Sequence, residues 1–238
     1  MAGGDMKRDG EASRHRADRD TAVEWLPQKM RDLDISIPYS NPATDQLMDF
    51  YASWAENYDT DLIDAYGYMA PTDAVASIVT LDLPSDARLL DAGCGTGQAG
   101  ALLAASGFTH VDGADLSPEM RAVAARLGVY QRLYHLDMTL DYAPQLVDFG
   151  GGYDAVICVG VFGYGPPHVE DLPRIMDAAR PGAPVLVTVN GKGWEKMDWD
   201  NSLMPVLAAA DVALAARTRI RHMVKEGVHA ELLELRKG

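Results

Sequence analysis

The stretch LLDAGCGTGQAG, residues 89–100, contains two overlapping glycine patterns that predict different ligands. Gly95, Gly97 and Gly100 form G-x-G-x-x-G, the pattern of a loop that binds the pyrophosphate of a dinucleotide. Asp91 together with the glycines at positions 93, 95 and 97 forms D-x-G-x-G-x-G, which indicates a different cofactor. The choice between these patterns decides whether the protein is a redox enzyme or belongs to another class.

Short apolar runs alternate with helical segments on both sides of this stretch. Ser117 and Pro118 mark the start of one such helix, because Ser caps helices and Pro fits their first turn. Strands that alternate with helices of about ten residues predict a mostly parallel sheet in a doubly wound α/β domain. The predicted parallel strands are ARLLDAG, THVDGADLS, VYQRLYHLD, YDAVICVGV and PVLVTVN.

The C-terminal part of the chain departs from this alternation. Residues 191–211 form a short segment, which is expected to hold one helix. After them, VALAARTRIRHMV and GVHAELLELRK alternate between apolar and polar residues, which predicts an antiparallel hairpin. The sheet is therefore expected to have seven strands, five of them parallel.

The region before residue 84 is expected to be helical. Asn41-Pro42 is a start signal for a first helix, and a second helix is expected to begin near Pro71. We divide the chain into a polar, disordered tail (1–20), an N-terminal helical cap (21–83) and a core domain (84–238). Most of the apolar stripe in the cap is interpreted as core packing, and its members are Leu47, Phe50, Tyr51, Trp54 and Tyr58.

Composition and charge narrow the classes of partner. The 238 residues are 47% apolar and carry a formal net charge of −14, which repels phosphate backbones and argues against nucleic acid. No apolar run approaches the ~18 residues that span a membrane, and the N-terminus lacks a secretory signal, so a cytoplasmic location is expected. Cys94 and Cys158 lie in apolar or Gly-rich segments, which predicts buried thiols and no metal site.

Of three aspartates at the ends of predicted strands, Asp91 and Asp137 discriminate between the glycine patterns and Asp115 does not. Asp91 would repel a pyrophosphate, but it suits S-adenosylmethionine, which carries an ammonium and a sulfonium and no phosphate. Asp115 suits the ribose hydroxyls of either cofactor. Asp137 can accept a hydrogen bond from an adenine amino group, and Leu136 and Met138 can flank the ring. No tyrosine has a lysine four residues later, although a short-chain dehydrogenase requires that pair.

Four motifs carry a resemblance to a known family: D91-A-G-C-G-T-G97, D115-L-S, L136-D-M and Y153-D-A-V-I-C-V-G160. Together with the terminal hairpin they resemble a class I S-adenosylmethionine-dependent methyltransferase, over roughly residues 45–238. The stretches F50-Y-A-S-W-A-E-N-Y-D-T-D-L62 and V159-G-V-F-G-Y164 are similar to small-molecule methyltransferases akin to the Williams–Beuren-region methyltransferase-like proteins. The resemblance implies a Rossmann-like methyltransferase fold and methyl transfer to an O, N or S atom of a small molecule.

The resemblance also implies the cofactor contacts. The loop backbone would contact the methionine part of the cofactor, Asp91 would favour its ammonium and Asp115 would bind its ribose. The ring of Tyr58 would cover the methionine end, and the small residues that end the fourth strand would leave room for the methyl group. The residues expected to bind the cofactor are Tyr58, Asp91, Gly93, Cys94, Gly95, Gly97, Asp115, Leu116, Asp137, Met138, Val159 and Gly160.

Three further residues are weaker candidates for catalysis and for binding of the methyl acceptor. His168, in the loop after the fourth strand, is the candidate general base, which is needed only if the nucleophile arrives protonated. Tyr164 and Trp194 are candidates to line the substrate pocket, although both could be structural aromatics. An NAD(P)-dependent oxidoreductase and a non-catalytic cofactor-binding regulatory protein remain open alternatives. The sequence gives no indication of oligomeric state.

Overall fold

A seven-stranded mixed sheet forms the centre of the molecule. Its strands are β1 (Arg88–Ala92), β2 (His110–Asp115), β3 (Leu133–His135), β4 (Ala155–Phe162), β5 (Val185–Asn190), β6 (Val212–Met223) and β7 (Val228–Lys237). They lie in the order β3-β2-β1-β4-β5-β7-β6, with the first five parallel and β7 antiparallel to both neighbours. The predicted doubly wound sheet and its C-terminal hairpin are confirmed.

The protein was analysed as a computed structural model that describes residues 43–145 and 152–237. The predicted tail, the first part of the cap and the start signal Asn41-Pro42 lie outside these residues. The described α-helices are α1 (Thr44–Trp54), α2 (Tyr58–Asp61), α3 (Ala70–Val79), α4 (Gln98–Ala105), α5 (Pro118–Ala125), α6 (Tyr142–Gln145), α7 (Gly191–Lys196) and α8 (Trp199–Ala209). A π-helical turn (Leu62–Tyr66) follows α2, and 3₁₀ helices span Val169–Ala178 and Val224–Glu226.

Continuous apolar runs explain why the central strands are buried. Residues 155–158 of β4 and 185–189 of β5 are almost inaccessible, as expected for parallel strands covered on both faces. β4 continues past the last paired residue of β1, so Val159 and Gly160 lie at the carboxyl edge of the sheet. The strand order reverses between β1 and β4, and a crevice at such a reversal is where open α/β sheets bind ligands.

Two details of the C-terminal half differ from the expectations. Residues 191–211 hold two helices, because Asn190 caps α7 and Asp198 adopts a left-handed conformation before α8. The Asn190 Oδ1 atom accepts hydrogen bonds from the backbone N–H groups of Lys192 and Gly193 at 3.0 and 3.2 Å. The segment after β4 forms a 3₁₀ helix that contains Pro173, and proline lacks the N–H that an α-helix interior requires.

Ion pairs join the two strands of the hairpin and attach it to α3. Glu231 of β7 accepts hydrogen bonds from Arg217 and Arg219 of β6 at 2.9 and 3.3 Å. Arg221 pairs with Asp73 of α3 at 2.6 Å, and the hydrogen bond from the Arg221 guanidinium lowers the pKa of Asp73 despite the opposing effect of partial burial. The hairpin is therefore tied to α3.

Candidate active site

The loop between β1 and α4 presents bare backbone to open space. Gly93, Gly95 and Gly97 have φ values of 73°, 53° and 100°, a region that residues with side chains rarely adopt. A Cβ atom at Gly93 would lie 2.2 Å from the side chain of Val161, whereas one at Gly95 would meet no protein atom within 4 Å. Gly95 thus leaves room for a ligand to approach the main chain.

Asp115 closes this loop from the end of β2. Its Oδ2 atom accepts a hydrogen bond from the Gly95 N–H at 2.9 Å, and its Oδ1 atom accepts one from the Ser117 N–H at 2.8 Å. Burial raises the pKa of this carboxyl, and the two backbone N–H groups oppose that shift. Each carboxylate oxygen can accept a second bond, so Asp115 retains capacity for a diol.

Asp137 takes the corresponding place after β3. Its Oδ1 atom accepts hydrogen bonds from the backbone N–H and the hydroxyl of Thr139 at 2.9 and 2.6 Å. The Gln145 side chain bonds the backbone N–H and carbonyl of Asp137 at 2.9 and 3.0 Å, which fixes the turn. Leu116, Leu136 and Met138 line the same cavity as Asp137.

Asp91 is more deeply buried than the other two acids, with 1% of its surface exposed. Its Oδ2 atom accepts hydrogen bonds from the Gly100 N–H at 3.1 Å and the Tyr130 hydroxyl at 2.7 Å. Burial raises the pKa of Asp91 to about 6, because desolvation disfavours the charged form. Asp91 caps the first turn of α4 and also lines the cavity.

The packing of the Tyr130 side chain explains why glycines occupy positions of the G-x-G-x-x-G pattern. A Cβ atom at Gly100 would lie 2.2 Å from the Tyr130 hydroxyl oxygen, and one at Gly97 would lie 3.1 Å from the ring. Gly113 of β2 also makes room, since its Cβ atom would lie 2.9 Å from the same ring. Gly97 and Gly100 therefore accommodate the tyrosine that holds Asp91, and they do not face the cavity.

The N-terminal helices reach the glycine loop through Asp59. Its Oδ1 atom accepts hydrogen bonds from the Thr96 hydroxyl and from the Gln98 side chain, the latter at 2.7 Å. The adjacent Tyr58 lines the cavity and packs edge-to-face against Trp54 with ring centroids 4.8 Å apart. Sequence reasoning missed Asp59, and its position directly after Tyr58 was the available signal.

One cavity, with a volume of about 150 Å³, runs along these strand ends. The structure brings together at its wall every residue expected to bind the cofactor except Gly97. The wall also includes Leu47, Met48 and Tyr51 of α1, and Tyr68. The apolar stripe of α1 is thus divided, because Phe50 and Trp54 are buried while Leu47 and Tyr51 face the cavity.

The residues expected on the acceptor side lie elsewhere. His168 begins the 3₁₀ helix, where its backbone N–H donates to the Asp171 carboxylate at 2.9 Å and its carbonyl accepts from the Asp171 N–H at 3.0 Å. Trp194 is 3% exposed, with the Arg217 guanidinium 3.9 Å above its ring. The ring of Tyr164 lies 5.4 Å from the Lys196 ammonium. None of the three is among the described residues that line the cavity.

Neither thiol nor metal chemistry is indicated by the described residues. Cys94 and Cys158 are buried and unpaired, and burial raises the pKa of both thiols. Residues 43–145 and 152–237 contain no group of three or more His, Cys, Asp or Glu side chains that could hold a metal ion. No helix in the same part of the chain is long and apolar enough to cross a membrane.

Five parallel strands followed by an antiparallel pair, with a glycine loop after β1 and acids after β2 and β3, define the class I S-adenosylmethionine-dependent methyltransferases. S-adenosylmethionine is the cofactor of this class. The chain belongs to the methyltransferase domain family, whose model matches residues 55–232.

Individual proteins agree with this assignment. The chain is 37% identical over 150 residues to human methyltransferase-like protein 27, a match that covers 62% of this chain and 59% of the human protein. It therefore spans less than two thirds of that relative. An S-adenosylmethionine-dependent methyltransferase from Clostridium acetobutylicum shares the fold with a TM-score of 0.59 at 15% identity, covering 79% of this chain and 99% of the other. Magnesium protoporphyrin IX methyltransferase from Synechocystis PCC 6803, with bound cofactor, gives 0.56 at 19% identity, covering 87% and 97%.

Proposed function

We propose that the protein transfers the methyl group of S-adenosylmethionine to an O, N or S atom of a small-molecule acceptor. One observation carries the proposal: the ends of β3, β2, β1 and β4 place Asp137, Asp115, the glycine loop and Gly160 in sequence along one cavity. This spatial order matches the order of adenine, ribose, the methionine part and the methyl group in S-adenosylmethionine. The net charge of −14 favours a small molecule over nucleic acid as the acceptor.

The side chains in the cavity suit this cofactor chemically. Asp115 would accept hydrogen bonds from the ribose diol, and Asp137 would accept one from the adenine amino group. Asp91 would attract the ammonium, because opposite charges interact strongly in a partly dry site. Gly95 leaves space that a Cβ atom would fill, as close approach of a ligand to the backbone requires.

Catalysis would consist mainly of positioning and exclusion of water. When bound, the cofactor supplies a methyl group on a positively charged sulfur, which is already activated for displacement. The chain would hold this group at Val159 and Gly160, at the end of β4, and Tyr58 would shield it from water. His168 stays outside the proposal, because it is not among the described residues that line the cavity.

Binding followed by turnover tests the proposal. Calorimetry should show tight binding of S-adenosylhomocysteine and no comparable binding of NADH. Asp115→Asn should weaken that binding by at least about tenfold, since it removes a charge-assisted acceptor for the diol. The control is Asp86→Asn, an exposed acid before β1, which should bind as the unmodified protein does. Incubation with methyl-labelled cofactor and a metabolite extract, followed by mass analysis, would identify the acceptor. Tight NADH binding without S-adenosylhomocysteine binding would refute the assignment.

A further inference from the structure

The end of β4 is irregular at the point where it reaches the cavity. The pairing of β4 with β5 passes from Cys158 opposite Val187 directly to Phe162 opposite Val189, so β4 advances four residues while β5 advances two. We call residues 159–161, which cover this irregular stretch, the β4 bulge. A bulge bends its strand and redirects the side chains on it, and bulges are frequent next to active sites.

The irregular pairing brings the whole β4 bulge to the cavity. Its three residues, Val159, Gly160 and Val161, all line the cavity wall. Successive residues of a regular strand point to opposite faces, so a regular strand would present at most two of the three to one side. Gly160 has a φ of 75°, which marks the point where the backbone leaves the strand conformation. The bulge therefore shapes the wall at the place proposed for the methyl group.

A side chain of β5 binds the backbone of the bulge. The Gly160 N–H donates to the Thr188 hydroxyl at 2.9 Å, whereas a regular ladder joins main-chain groups. Thr188 is 1% exposed, and its backbone pairs with Leu232 of β7. The hydroxyl therefore ties the bulge to the buried centre of the sheet.

The other end of the β4 bulge packs against the glycine loop. A Cβ atom at Gly93 would lie 2.2 Å from the Val161 side chain, so the valine occupies the space next to the Gly93 backbone. The Gly93 N–H donates to the Ala114 carbonyl at 2.7 Å, which attaches the loop to β2. Gly160, which Thr188 holds, directly precedes Val161. Contacts thus run from the Thr188 hydroxyl through the bulge to the loop expected to contact the methionine part of the cofactor.

We propose that Thr188 is a positioning residue for methyl transfer. Its hydroxyl fixes the β4 bulge, and the bulge in turn fixes the glycine loop in the conformation that binds the methionine part. The proposal rests on the methyl transfer function above and adds to it a residue that is not among the described residues lining the cavity. Without the hydroxyl the Gly160 N–H loses this partner, and Val161 is no longer held against Gly93.

Two ligands test the proposal on the full chain. S-adenosylhomocysteine reaches the glycine loop, whereas adenosine lacks the methionine part and needs only the ends of β2 and β3. In Thr188→Val, which has a similar shape but no hydroxyl, calorimetry should show S-adenosylhomocysteine bound about fivefold more weakly and adenosine unchanged. Thr188→Ser retains the hydroxyl and should bind both ligands within about twofold of the unmodified protein.

Hydrogen exchange tests the contact without any ligand. The Gly160 N–H of the free protein should exchange at least about tenfold faster in Thr188→Val than in the unmodified protein, because it loses its hydrogen-bond partner. Thr188→Ser should restore the slow exchange. Equal exchange in Thr188→Val and the unmodified protein would overturn the proposal.

A matched control comes from the neighbouring residue of β5. Val187 is fully buried and pairs regularly with Cys158, so Val187→Ala should lower stability while keeping the ratio of the two affinities. An equal loss of both ligands in Thr188→Val, or the same selective loss in Val187→Ala, would show a merely structural role and overturn the proposal. Failure of S-adenosylhomocysteine to bind the unmodified protein would instead reject the methyl transfer function, and the exchange of Gly160 would still show whether Thr188 holds the bulge.

Discussion

Asp91 is the residue at which charge and burial compete most directly. Its pKa is raised to about 6 by burial, although Tyr130 and Gly100 donate hydrogen bonds that favour the ionised form. Because the folded chain then binds a proton more tightly than the unfolded chain does, this group stabilises the fold at low pH. That contribution is lost as the pH rises from about 4 through about 6, and a bound cation would offset the loss.

The same titration predicts a pH dependence of cofactor binding. Asp91 attracts an ammonium only when ionised, so affinity for S-adenosylmethionine should be constant above about pH 7 and should fall below about pH 6. Calorimetry across this range should show up to about a tenfold loss per pH unit in the acidic limb. Adenosine, which lacks the ammonium, is the control and should show no such limb. A parallel decline for both ligands would assign the effect to another group.

At the scale of single elements, α4 depends on a tyrosine from outside the helix. Gly100 has ordinary helical geometry, so its lack of a side chain serves the packing of Tyr130. Asp59 of α2 holds the residues just before and within the same helix through Thr96 and Gln98. The glycine loop is therefore positioned from both sides by side chains distant in sequence.

A double-mutant cycle tests the packing of α4. Gly100→Ala should destabilise the protein by about 1–3 kcal/mol, because its Cβ atom would overlap the Tyr130 side chain. In a Tyr130→Ala background the same change should be neutral or slightly stabilising, since Ala exceeds Gly in helix propensity by about 1 kcal/mol. Urea unfolding of the four proteins measures the coupling. Equal effects in both backgrounds would contradict the contact.

At the scale of the whole molecule, the features that the sequence predicts are those that depend on residues close together in the chain. Asp91 and Asp115 lie at the carboxyl ends of β1 and β2, and Asp137 follows β3, so their order along the cavity follows from parallel pairing alone. Tyr68 was missed because it is placed by β6, more than a hundred residues further along the chain. The two faces of α1 could not be separated, because helical spacing does not show whether an apolar residue meets the core or a cavity.

Backbone conformation that periodicity does not show accounts for one remaining difference. The expected single helix in 191–211 is two, because Asp198 adopts a left-handed backbone conformation between them. The residues expected at the acceptor were chosen by their nearness in sequence to β4 and β5. The structure places His168 and Trp194 in a helix cap and a buried aromatic contact.

The position of Trp54 gives the molecule an optical reporter. Its indole N–H donates to Asp61 at 2.8 Å and its ring touches Tyr58 at the cavity wall, whereas Trp194 and Trp199 stack on each other 5.5 Å apart on α7 and α8. Among the three tryptophans that the structure describes, Trp54 alone adjoins a cavity-lining ring. Its emission should therefore respond to occupancy of the cavity, so that binding can be followed in real time without a label.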